Sequence, residues 1–133
     1  MLQRRARALV ASLAIGVIWA AWPLPLFLMP GRSQSGTSLV LFALTVVGLS
    51  VVAAALYNAA GGRVVVPIVF HTLWNAASAS IAVGVVDGGP GTQVGVLIVV
   101  WATAALLVFR HGTERLSNRP FPGGGLDLSA PYG

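Results

Sequence analysis

His71 and Asn75 are the residues of this sequence best placed to do chemistry. Both are strongly polar, they lie four positions apart, and they sit inside a long apolar run. On a helix that spacing puts them on one face. An imidazole in such a place is a candidate proton carrier or metal ligand, and intramembrane ionisable groups are functional candidates by default. The same pair can also be purely structural, through a hydrogen bond between helices or a local bond from His71 to Asn75. Burying either group without a partner is costly, so both are expected to face a bundle interior or a wet cavity. Pro67 stands one turn before His71 and is expected to free a backbone carbonyl near the pair.

The rest of the inventory limits the chemistry. The chain has no cysteine, which excludes disulfides, thiolate nucleophiles and Cys-ligated metal sites. A catalytic zinc site commonly uses three protein ligands and one open position. The apolar runs hold a single histidine and no carboxylate, so one chain cannot build an ordinary zinc site from them. The sole glutamate, Glu114, follows the last run, and no general base for water stands out. Proton-coupled transport by intramembrane carboxylates is disfavoured for the same reason. Ser12, Ser50, Ser78 and Ser80 show no triad pattern, and a Ser78–His71 dyad, two turns apart, is a weak idea. Gly123-Gly124-Gly125 runs into Leu126 without the Lys-Ser/Thr of a phosphate loop.

The elements that must hold the pair are membrane spans. Of 133 residues, 56% are hydrophobic and only 8% charged, against about 25% charged in soluble domains. Mean hydropathy is +0.86. Four runs carry no Asp, Glu, Lys or Arg: Leu9–Met29, Thr37–Tyr57, Val64–Val85 and Gln93–Phe109. Each fits the roughly 17–25 residues that cross a bilayer as a helix. The expectation is an all-α integral membrane protein of about four transmembrane helices, residues 1–109. A short disordered tail rich in Arg, Pro and Gly follows, residues 110–133. A signal-peptide reading of Met1–Ala21 is less favoured, because no small-x-small cleavage site precedes Trp22-Pro23 and more spans follow.

The net charge of +5 comes from eight arginines, all outside the apolar runs and without interleaved aromatics. Nucleic acid is therefore not the expected partner; membrane lipid is. With both termini cytoplasmic, the inner segments hold Arg4, Arg5, Arg7, Arg63, Arg110, Arg115 and Arg119, and the outer loops only Arg32. This positive-inside pattern points to N-in/C-in topology in the plasma membrane. Ala8, Ser12, Gly16 and Ala20 recur every fourth residue, as do Ala76, Ser80 and Gly84. Such stripes let backbones approach closely and are expected to be packing faces. Trp19, Trp22, Trp74 and Trp101 are expected as packing or interfacial aromatics, and His111 as a solvated flank.

Two segments resemble a known family. Trp19-Ala20-Ala21-Trp22-Pro23-Leu24-Pro25-Leu26-Phe27 resembles the second motif of the CPBP intramembrane metalloproteases, the CAAX-prenyl-endopeptidase-like or Abi family. That motif has an aromatic residue, three others, then His, often followed by Leu-Pro-Leu-Phe. His71-Thr72-Leu73-Trp74-Asn75 resembles the closing His-x-x-x-Asn motif, and Leu56-Tyr57-Asn58 with Gly61-Gly62 resembles its lead-in. Leu2-Gln3-Arg4-Arg5 resembles the stretch just after the first motif, Glu-Glu-x-x-x-Arg. The resemblance runs over about residues 2–80 and to the C-terminal part of the family.

It implies a membrane metalloendopeptidase with zinc or another divalent metal. In it His71 would be a metal ligand or acid–base group, Asn75 would help stabilise the reaction centre, and a peptide or membrane protein would be substrate or partner. Two departures stand against this. The sequence begins where the glutamate motif would end, and Pro23, which has no ligand atom, occupies the position of the second-motif His. The expectation is therefore a truncated or degenerate peptidase, inactive alone. The alternatives are a non-catalytic scaffold or binding protein and an unrelated four-helix subunit. By helical rise His71 is expected near 10 Å from the inner edge and Pro23 near 21 Å, whereas a shared site needs similar depths.

Overall fold

The computed structural model describes residues 7–28, 38–82 and 89–118. The elements among these residues are all helices, with no strand: α1 Ala8–Ala21, α2 Leu24–Phe27, α3 Leu39–Ala59, α4 Val65–Ala82 and α5 Pro90–Arg115. Helices α3 and α5 are each long and apolar enough to cross a membrane, with mean hydropathies of 2.7 and 2.2.

Local chemistry sets the helix ends. Ser38 caps α3, its hydroxyl accepting from the amide of Leu41. The end of α3 is closed by two glycines at positive φ, Gly61 and Gly62, with the Gly62 amide donating to the Tyr57 carbonyl at 2.9 Å. Pro90 opens α5, where its missing N–H costs nothing.

The first apolar run departs from expectation. It is not one 21-residue helix: α1 stops at Ala21, a turn at Trp22-Pro23 follows, and α2 adds a single turn. A Pro23 ring inside a continuing helix would clash with the carbonyl of Trp19. The segment still reaches the far end of the bundle, where the Phe27 and Phe42 rings lie 5.1 Å apart. The last run is longer than expected. Helix α5 continues to Arg115, across a break at Gly112, so part of the expected tail is ordered structure. The remainder of that tail, from residue 119, lies outside the described residues.

The helices alternate in direction. Ala8 at the start of α1, Ala55 near the end of α3, Ala104 in the second half of α5 and Leu116 just after its end share one core cluster with Val51 and Val52. At the opposite end the Ser38 amide donates to the Gln93 side chain, and Trp101 Nε1 donates to the Leu44 carbonyl at 3.1 Å. All charged side chains among the described residues, Arg7, Arg63, Arg110, Glu114 and Arg115, therefore lie at one end. Arg32 and Asp87 fall outside the described residues.

The packing is that of a membrane bundle: small and polar inside, large and apolar outside. The buried face of α1 is Ala8, Ala11, Ser12, Gly16 and Ala20, the expected small-residue stripe. Gly16 meets α3 so closely that a Cβ there would lie 2.9 Å from the Val47 Cα and 2.5 Å from the Ser50 Oγ. The Ser50 hydroxyl, at 2.7 Å from the Ser12 carbonyl, ties the two helices at this crossing. Val17, Ile18, Val40, Val99 and Phe109 point outward, where hydrocarbon receives them without penalty.

Helix α4 is the peripheral element. It packs on α3, with Phe70 against the central cluster. Its small-residue stripe does not pack as expected: Ala76 is exposed and Ser80 half-exposed, and Gly84 lies outside the described residues. The reason is geometric, since the three-helix core of α1, α3 and α5 is already closed and α4 lies on its flank.

Candidate functional site

Helix α4 carries the pair near the arginine end. His71 is six residues into the helix, about 9 Å along its axis. The Asn75 Nδ2 lies 3.1 Å from the His71 Nε2. The contact is within hydrogen-bond reach, and its donor and acceptor roles follow the tautomer of the ring. The local-bond reading is thus the one the structure shows.

Beside the imidazole lies the indole of Trp19, with ring centroids 5.4 Å apart and planes inclined at 54°. Tilted contacts of this kind suit aromatic quadrupoles. The contact joins the two segments that carry the resemblance, α1 near its end and the middle of α4. The expected depth gap is bridged by Trp19, which stands one turn closer to the arginine end than Pro23. Pro23 itself sits in the turn between α1 and α2, with φ −85° and ψ 3°.

The pair does not face the bundle interior. Both His71 and Asn75 are exposed on the described molecule, as is Leu73, while Trp74 is half-buried. An imidazole and a carboxamide facing hydrocarbon would be costly, so this face requires a cover or water. Pro67 does not free a carbonyl beside the pair. It is the third residue of α4, where an amide has no partner within the helix anyway, and the Arg63 carbonyl accepts from Val66 instead, at 3.3 Å.

The described residues do not by themselves assemble a metal centre. Among the described residues no group of three His, Cys, Asp or Glu side chains comes together. The His71 Nε2 already has the Asn75 Nδ2 as a neighbour at 3.1 Å. Glu114 is in the last turn of α5 and pairs with Arg7 at 2.8 Å. His111 is not a freely solvated flank but half-buried, its Nδ1 lying 2.9 Å from the Asn118 Oδ1. Ser80 bonds locally, donating to the Ala76 carbonyl at 3.3 Å.

Two residues lie in the motif-like segments, yet the contacts they make could not be read from the sequence. Trp19 was legible only as an aromatic of uncertain role, although it is the first residue of the motif-like segment. Asn58, at the end of α3, is 5% exposed and its Nδ2 donates to the Arg115 carbonyl at the end of α5.

A family model described as type II CAAX prenyl endopeptidase, Rce1-like, matches residues 1–77. The match covers the N-terminal part of this chain, including α1, α3 and both residues of the His71–Asn75 pair. No curated protein and no solved structure matches the chain.

Proposed function

The chain belongs to the type II CAAX prenyl endopeptidase Rce1-like family, and from that premise we propose that it is a degenerate member, not an autonomous metallopeptidase. In this reading it keeps the membrane scaffold and the closing-motif pair. The observation that carries it is the state of His71. Its Nε2 lies 3.1 Å from the Asn75 Nδ2, no second ligand gathers beside it among the described residues, and Pro23 stands where the family's second-motif histidine is expected.

In the same reading the outward face has a role. A polar pair on a membrane helix needs company, and the Trp19–His71 surface is the place for it. The chain therefore binds a peptide or membrane protein there without cutting it. The arginine end faces the cytoplasm in this reading, with both termini inside, in the plasma membrane.

The test is to purify the 133-residue chain and measure bound metal together with cleavage of prenylated and unprenylated peptides. The expected result is substoichiometric metal, no cleavage, and no change in either with His71→Ala. Stoichiometric metal that is lost in His71→Ala would overturn the reading and restore a metallopeptidase. The intact mass of the native product shows separately whether residues precede Met1.

A further inference from the structure

The arginine end holds a second feature, remote in role from the His71 pair. Between the ends of α3 and α5 lies a cleft of about 360 Å³. This is within the roughly 300–1,000 Å³ of small-ligand sites. Leu56 and Ala59 on α3 and Leu107 on α5 make its apolar part, and His111 and Asn118 are on its polar side.

The cleft exists because the chain turns back on itself. Helix α5 breaks at Gly112, whose φ of +73° and ψ of 173° suit glycine alone. Leu116 then takes the left-handed conformation, φ +53°, and buries to 1% exposure. The turned segment forms one wall. It is pinned by the Asn58 bond to the Arg115 carbonyl and by the His111–Asn118 contact.

The charge around it is one-sided. Arg7 is neutralised by Glu114, whereas Arg63, Arg110 and Arg115 make no ion pair among the described residues. All three are exposed at the same end as the cleft. The cleft-lining residues His111 and Leu116 are chain neighbours of Arg110 and Arg115, so an apolar slot and exposed positive charge meet at the level where a bilayer changes from tails to headgroups, and together they match one ligand class.

We propose that this cleft is a binding site for an anionic phospholipid. Part of an acyl chain lies along Leu56, Ala59 and Leu107, and the phosphate lies among the arginines. The site is independent of any peptidase reading, because it uses neither His71 nor Asn75. Each arginine near a headgroup favours an anionic lipid by about fivefold.

The experiment uses the full chain in detergent, incubated with dioleoyl-phosphatidylglycerol or dioleoyl-phosphatidylcholine, with retained lipid counted by native mass spectrometry. The expected result is preferential retention of phosphatidylglycerol. Arg110→Gln with Arg115→Gln should lower that retention by about fivefold per arginine. Ala59→Phe leaves every arginine in place but fills the slot, and should lower retention as well. Should that variant lose helicity, Leu107→Trp fills the slot from the other wall. Equal retention of the two lipids overturns the proposal. So does unchanged retention in the slot-filling variant, which would mean a diffuse attraction to the arginine end. Displacement of the lipid by excess inorganic phosphate would assign the site to a free anion and also overturn it.

Discussion

The indole of Trp19 and the imidazole of His71 meet at 5.4 Å across two helices that have few other contacts with each other. The contact predicts that Trp19 positions the pair. Because both rings are partly exposed, its coupling should lie near the low end for aromatic pairs, about 0.5 kcal/mol. A double-mutant cycle of Trp19→Leu and His71→Ala, read by unfolding in mixed detergent, measures it. Strictly additive effects would mean that the rings are neighbours without interaction.

The crossing of α1 and α3 depends on the missing side chain of Gly16. Gly16→Ala should destabilise the bundle by about 1–3 kcal/mol, since backbone as well as side chain stands in the way. Ser50→Ala alone should cost only about 0.6 kcal/mol, the typical worth of such a bond between membrane helices. Combined, the two should cost less than their sum, because Ser50→Ala removes the nearest obstructing atom. The rescue should be partial, as the Val47 Cα remains. A full sum in thermal or detergent unfolding would show that the helices do not approach at this point.

Gly112 and Gly95 both have open space where a Cβ would go, yet they should respond oppositely. Gly95 is inside α5 at helical geometry, so Gly95→Ala should be neutral or stabilising, by up to about 1 kcal/mol. Gly112→Ala meets a positive φ and should destabilise by about 1–3 kcal/mol. Hydrogen exchange over residues 112–118 should rise in Gly112→Ala, because that turn holds Leu116 in place. Equal behaviour of the two variants would place the break in α5 elsewhere.

Orientation can be read directly, because the chain has no cysteine and any introduced one is unique. Arg63→Cys and Arg115→Cys should resist a membrane-impermeant maleimide on intact cells and react in inverted vesicles. Ser38→Cys, at the other end of α3, should react on intact cells. Labelling of residue 63 from outside would invert the topology proposed above.

The sequence alone was sufficient for the class of the fold, since 8% charge and four uncharged runs leave few options for a 133-residue chain. It also marked the buried stripe of α1, because small residues every fourth position are a local pattern with a direct packing consequence. The same pattern misled in α4. A stripe of small residues permits close approach but does not supply the neighbour, and α4 lies beside a core already closed by three other helices.

The pair of His71 and Asn75 was likewise legible from spacing, since one helical turn is a local fact. What spacing cannot say is which way a helix is rotated. Only the tertiary arrangement decided that the pair faces outward, that Trp19 covers one side of it, and that the chain after Gly112 folds back to bury Leu116. These depend on how whole helices settle against one another. That is set by shape and by backbone turns at a few glycines and prolines, summed over contacts far apart in the chain.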